Sequence, residues 1–362
     1  MPLKKFIGNK NIVLMGEATH GTKEFFTMKH RMFKFLVEEM GFTLFAIEDD
    51  FAACVPINNY ILYGKGTGEE AMANFDKWPW NSQEVLELLK WMRKYNKKTK
   101  DEDKKIKFYG FDMQQCLKAA EALSLYFHQG NKEVDIPEFS KGSHPVNYVL
   151  DRPTIENMEV ILLEMKPANE ISIEYREWKI AEHHKDMLWQ KYWNSQNKGK
   201  PKRDEYMAEN LKWILDFEGK DKKVMVWTHN GHISKSGGQM GGFLNYQFKD
   251  ELYSIGFDFS SGAFNSKKWS ENENGEIEEF TLPAFDQGYF SDVLGKLNKN
   301  YLFLDFNTSM QSPAVYDWLS QTQVIHGVGA SFDYESKRLW ERKYLLAKEF
   351  EAMIYIKHTH CQ

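Results

Sequence analysis

Four short apolar runs in this 362-residue chain each stop on a carboxylate or a histidine, and no other feature constrains the fold as much. Asn11-Ile12-Val13-Leu14-Met15-Gly16 runs into Glu17, with His20 three residues on. Phe42-Thr43-Leu44-Phe45-Ala46-Ile47 ends on Glu48, and Ile106-Lys107-Phe108-Tyr109-Gly110-Phe111 ends on Asp112. Lys223-Val224-Met225-Val226-Trp227-Thr228 ends on His229, with His232 just beyond. Short continuous apolar runs read as strands buried on both faces, as in a largely parallel sheet covered by helices. Parallel strands share one carboxyl-terminal edge, and open α/β sheets bind ligands outside that edge. The pattern therefore predicts that residues from Glu17 to His229 meet in one cleft, which is the layout of an enzyme.

Between the runs, residues 22–40 carry Phe25, Met28, Met32, Phe35, Leu36 and Met40 at helical spacing, with Gly41 at a C-cap position. Residues 11–48 thus read as a βαβ unit with a short crossover. A second helix spans 82–95, and the lysine-rich 96–105 is a solvated turn. From 114 to 219 strand signals vanish and helical patterns take over, at 117–128, 154–165, 168–197 and 203–217. A loop over 130–153 and a break at Gly199-Lys200-Pro201 interrupt them. Strand signals resume at 224–228, 253–259, 301–306 and 353–356. The fold class predicted is α/β, with a mixed, mainly parallel sheet flanked by helices and a helical insertion subdomain. Residues 1–114 and 220–362 form the core, and 115–219 cap the cleft. The glycine pairs at 237–238 and 241–242 read as loops.

Composition removes several classes of function. Lys plus Arg is 47 against 52 for Asp plus Glu, a net charge of −5, so no nucleic-acid partner is implied. Three cysteines at unpaired spacing argue against a disulfide framework, and reduced thiols fit a cytoplasmic address. No apolar leader precedes the first strand and no run approaches a membrane span, so no membrane partner is expected. Aromatic content of 15% fits a bulky core or a stacking-rich pocket.

No Gly-x-Ser-x-Gly elbow, phosphate loop, dinucleotide fingerprint or His-Glu-x-x-His pair occurs. What remains is Glu17-Ala18-Thr19-His20-Gly21-Thr22, Glu48 and His229-Asn230-Gly231-His232. A histidine beside a carboxylate acts as general base on water, because its unperturbed pKa lies near operating pH. The other histidines can polarise a carbonyl or protonate a departing alkoxide. The same two glutamates and three histidines also have the donor atoms for Zn²⁺, although their spacing matches no recognised ligand motif. Asp112 stands at the matching strand end, as a partner to these groups or as the N-cap of the next helix.

Gly16-Glu17-Ala18-Thr19-His20-Gly21-Thr22-Lys23-Glu24-Phe25-Phe26 with Lys29-His30-Arg31 resembles the signature of the erythromycin esterase family. So do Ala46-Ile47-Glu48, Trp80-Asn81-Ser82 with Trp91-Met92-Arg93, Tyr109-Gly110-Phe111-Asp112-Met113-Gln114 and Trp227-Thr228-His229-Asn230-Gly231-His232. The matches run in order from about residue 11 to Met353-Ile354-Tyr355-Ile356. The resemblance implies an esterase that opens the lactone of macrolide antibiotics such as erythromycin with a histidine-activated water, without metal or other cofactor, and so confers resistance. Carried over by position, His20 is the general base, Glu17 and Glu48 orient it or the water, and His229 is the second essential histidine. His232, Arg31 and Asp112 fall to the substrate side, with Arg31 also open to a helix-face ion pair. Lys23 stands where arginine is common, and the two are not interchangeable at a bidentate site.

Three rivals stay open at this level: a metal-dependent hydrolase, an esterase of another ester, and a binding protein that leaves the lactone intact. His30, His183, His184 and His326 read as structural or solvated, and His358-Thr359-His360-Cys361 as a frayed tail. Which of Glu17 and Glu48 orients the base, and the oligomeric state, are not legible.

Overall fold

The computed structural model describes residues 2–137, 147–197, 199, 202–269, 275–284 and 288–362. Part of the loop expected over 130–153, and Lys200-Pro201 of the expected break, lie outside the described residues.

The strands, in chain order, are β1 (Ile12–Met15), β2 (Leu44–Asp50), β3 (Lys107–Asp112), β4 (Val224–Trp227), β5 (Leu252–Lys268), β6 (Ile277–Leu282), β7 (Tyr301–Asp305), β8 (Gln323–His326), β9 (Ser331–Phe332), β10 (Glu341–Tyr344) and β11 (Ala352–Thr359). The main sheet runs β3-β2-β4-β1-β5-β11-β7. Its first six strands are mutually parallel, and β7 pairs antiparallel with β11. The sheet is therefore mixed and mainly parallel. β6 and β9 extend it from the far half of β5, and β8 and β10 form a separate antiparallel pair.

Alternation along each strand explains the continuous apolar runs. Val13, Met15, Phe45, Ile47, Met225 and Trp227 face one way, onto Phe25, Phe26 and Phe33 of the Lys23–Met40 helix. Ile12, Leu14, Leu44, Ala46, Val224 and Val226 face the other way, onto Met207, Leu211 and Ile214 of the Arg203–Glu218 helix. Both faces of the sheet are buried, as parallel strands require.

The helices fall close to their periodicity. Gly41 closes the first in the left-handed region at φ 73°, and Ser82 caps Gln83–Lys98 through Val85 N–H. Leu117–Gln129, Arg152–Glu164 and Ile173–Gln196 follow β3 and share a core of Leu123, Phe127, Ile155, Met158, Trp178 and Leu188, while Arg203–Glu218 packs on the sheet. The third begins later than its apolar pattern because the Ser172 hydroxyl caps Tyr175 N–H there.

Two local readings are corrected, and one helix is added that no reading covered. Phe51–Tyr63 is a helix that sequence periodicity does not announce, since it is apolar nearly all round and contains Pro56; Asp50 caps it by accepting from Ala52 and Ala53. Gly241 and Gly242 belong to the Met240–Phe248 helix rather than to a loop, their small size allowing close approach to the carbonyls of Ile233 and Ser236. The 11–48 unit is split, because β4 inserts between β1 and β2.

That insertion positions the site. The carboxyl ends of β3, β2, β4 and β1, four consecutive neighbours, carry Asp112, Glu48, Thr228-His229 and Glu17 side by side.

Candidate active site

Just past β1 the chain turns through Gly16, and Glu17 is fully buried beneath the cleft. Three donors converge on it: His20 Nδ1 at 2.7 Å, Lys29 Nζ at 2.5 Å and Trp227 Nε1 at 2.8 Å. The first bond places the proton on Nδ1 and leaves Nε2 of the half-buried His20 with its lone pair. Lys29 comes from the buried side of the Lys23–Met40 helix and also lies 4.5 Å from the Trp227 ring centre. Burial lowers its ammonium from the ordinary 10.5 to about 8, even though Glu17 works to keep it charged. The turn that returns His20 over Glu17 needs Gly21, because a Cβ there would collide with the backbone of Asn265 on β5, whose N–H bonds Gly21 O at 2.9 Å.

Glu48 is bound from both sides of the cleft. Its Oε2 accepts from Thr228 Oγ1 at 2.5 Å and His229 N–H at 3.3 Å, and its Oε1 from Arg203 at 2.6 Å. Lys77 Nζ lies 3.5 Å from Oε1 and donates to the Glu48 carbonyl at 2.9 Å. Burial opposes a charge on this carboxyl, but Lys77, His232 and Arg203 together hold it well below its ordinary range. Asp112 is equally buried and likewise held low by Arg203 and Lys77, both of which it pairs with. It does not cap the next helix, which starts after Cys116. Arg203 is thus the bridge between Glu48 and Asp112.

The two remaining histidines have distinct settings. His229 caps a short helical turn by accepting Gly231 N–H on Nδ1 at 3.1 Å, which places its proton on Nε2. That nitrogen is buried without a partner, in a ring centred 5.0 Å from His20. Desolvation, followed by the charges of His20 and His232, holds His229 well below its ordinary pKa, so it is neutral. An N–H with no protein partner beside a histidine base is suited to receive a developing oxyanion. His232 binds Asp204 through Nδ1 at 2.9 Å and meets an Arg203 N–H through Nε2 at 3.3 Å.

Of the residues expected from sequence, Glu17, His20, Glu48, Asp112, His229 and His232 come together, and it is Glu17 rather than Glu48 that touches His20. Arg31 does not join them. It is exposed on the Lys23–Met40 helix, two residues or about 200° around from the inward Lys29. The tail is not frayed: β11 runs to Thr359, Lys23 N–H bonds His360 O at 3.0 Å, and His360 pairs with Glu24 at 2.7 Å. His183 and His184 pack on Phe51, and His326 pairs with Asp258 at 2.7 Å.

Lys29, Lys77, Arg203 and Asp204 are the missed members. Lys29 did leave a signal, a lysine set in the apolar stripe of Phe25, Met32 and Leu36. The other three had none, since they sit on exposed-looking polar segments. Lys29, Lys77 and Arg203 also occupy the carboxylates that a metal would need; among the described residues no group of three His, Cys, Asp or Glu is placed to hold one.

Fold and site together define an α/β protein whose cleft, at the carboxyl edge of a parallel sheet, holds a carboxylate–histidine pair. The family model for erythromycin esterase matches residues 37–359, and the chain belongs to that family. It is 28% identical over 279 residues to an erythromycin esterase type II from Escherichia coli, across 67% of this chain and 65% of that one. The chain thus spans 65% of the length of that relative. In fold it is similar to a Bacillus cereus crystal structure, at a TM-score of 0.81 and 24% identity over all of this chain and 91% of that one. A mutant erythromycin esterase in its open conformation has a TM-score of 0.68 at 14% identity, over 99% and 93% of the two chains.

Proposed function

We propose that this protein is a hydrolase that opens a carboxylic ester, with the lactone of a macrolide as its substrate class. The observation that carries the reading is the Glu17–His20 bond beside the unpartnered His229 Nε2–H. His20 Nε2 takes a proton from water as the oxygen bonds to the carbonyl carbon. The carbonyl oxygen gathers charge against His229 Nε2–H. Collapse of the tetrahedral intermediate breaks the acyl–oxygen bond, and the imidazolium of His20 returns the proton to the alkoxide. Glu17 stabilises that imidazolium, while Lys29 balances the carboxylate from below. Arg203, Lys77 and Thr228 fix Glu48, whose Oε2 holds the backbone N–H of His229. The helices within 115–219 act as the cap, since their Arg203-Asp204 pair reaches the strand edge.

The test is mass spectrometry of erythromycin incubated with wild type and His20→Ala, with and without EDTA. The expected result is gain of one water by the drug, insensitive to chelator, and lowered at least about 10²-fold in the variant. Activity lost to EDTA and restored by Zn²⁺ would overturn the metal-free mechanism. An unchanged drug, with other esters hydrolysed by wild type but not the variant, would keep the mechanism and replace the substrate. Tight binding of intact drug, with no ester cleaved, would leave a binding protein.

A further inference from the structure

A second concave site, none of whose walls is shared with His20, lies between the Ile173–Gln196 and Arg203–Glu218 helices. It is an open groove of about 320 Å³. One wall is aromatic: Trp189 and Trp193, a helical turn apart, stack at 6.0 Å with their planes 16° from parallel. Tyr206 and Trp213 line it from the facing helix.

Polar groups are set into that wall in fixed positions. Gln190 and Asn210 exchange hydrogen bonds in both directions, at 2.8 and 3.0 Å, and Asn210 also donates to Phe111 O at 3.0 Å. Asn210 has thereby used both amide hydrogens, whereas Gln190 keeps one N–H and one lone pair. His183, only 2% exposed, stacks on Trp213 at 3.9 Å and leaves Nε2 without a partner. Glu209 adds a carboxylate at the rim, raised by burial and then by the charge of Glu205.

We propose that this groove binds a single pyranose ring. The apolar C–H face of the sugar stacks on Trp193, and its hydroxyls exchange hydrogen bonds with Gln190 and Glu209. A hydroxyl both donates and accepts, which is what this mixture of groups asks for. The charged head of an organic cation offers no acceptor for the free N–H of Gln190, and the second carboxylate, Asp186, is already paired with Lys185 at 2.7 Å. An anion would meet Glu209. The groove is also close to the catalytic edge: Phe111 directly precedes Asp112, and Tyr206 follows Arg203 by one turn of the same helix. A sugar carried by an ester bound at His20 is therefore within reach, although sugar binding itself does not depend on the ester reading.

Saturation-transfer NMR with methyl α-D-glucopyranoside and methyl α-D-mannopyranoside tests this on the full chain, in wild type and in the His20→Ala background, with choline chloride as the comparison ligand. The expected result is saturable glycoside binding in both backgrounds, with the strongest transfer to protons on one face of the ring. Trp193 is 42% exposed, so its removal leaves the helix pair intact, which an unchanged melting temperature verifies. Trp193→Ala weakens binding at least about fivefold, and Glu209→Gln weakens it less. No saturable glycoside signal, a signal undiminished in both variants, or choline bound in preference to both glycosides would each overturn the assignment. Because the reading is direct binding, its failure is distinguishable from failure of the hydrolase mechanism.

Discussion

Lys29 shows how one side chain sets the working range of the site. Its ammonium lies on the opposite side of Glu17 from His20, so it disfavours the imidazolium while Glu17 favours it. Below about pH 8 Lys29 is charged and part of the Glu17 charge is neutralised. Between about pH 8 and 10.5 the unfolded chain still holds the Lys29 proton that the folded chain has released, so this group adds stability as pH rises. Lys29→Met flattens that rise, read by chemical denaturation across the same window, and the loss of the ammonium that holds Glu17 lowers kcat at least about tenfold. Lys29→Arg keeps the charge and restores kcat. An unchanged pH slope with an unchanged kcat in Lys29→Met would show that the ammonium serves packing alone.

At the scale of elements, the site depends on turns that follow strands more than on the strands themselves. The 17–22 turn is pinned by the Glu17–His20 bond at its start and by Gly21 against Asn265 at its end. Gly21→Ala forces a methyl group into the backbone of β5, an overpacking that costs about 1–3 kcal/mol. The displacement falls on His20, one residue away. A lowered melting temperature accompanied by a disproportionate loss of kcat is expected, measured by calorimetry and ester hydrolysis on the same samples. The helix Phe51–Tyr63 illustrates what periodicity cannot see. A helix surrounded by apolar neighbours shows no polar face, and Pro56 within it reads locally as a breaker.

For the whole molecule, Arg203 is the connection that matters most. It begins a helix far from β2 and β3 in sequence, yet bonds Glu48 and Asp112 on those two strands. Arg203→Ala leaves two buried carboxylates sharing Lys77, with His232 beside Glu48 only, and breaking a buried ion pair costs about 3–5 kcal/mol. Chemical denaturation should register that loss, and kcat/KM should fall at least about tenfold as the Glu48 contacts to Thr228 and His229 N–H loosen. Full activity with unchanged stability would mean that the bridge is dispensable.

The sequence by itself determined the strand runs, the main amphipathic helices and six residues that meet at the candidate site, because burial on both faces and carboxyl-terminal placement leave a local signature. Parallel pairing then required Glu17, Glu48, Asp112 and His229 to share an edge. The sequence could not choose between Glu17 and Glu48 as the partner of His20, nor reject Arg31 in favour of Lys29 and Arg203. Those decisions rest on which neighbour occupies the gap between β1 and β2, and on the direction in which a helix residue points. Both are set by packing across long sequence separations. Tertiary structure alone inserted β4 there, turned Lys29 inward onto Glu17, and carried Arg203 to the carboxylates whose charge it balances.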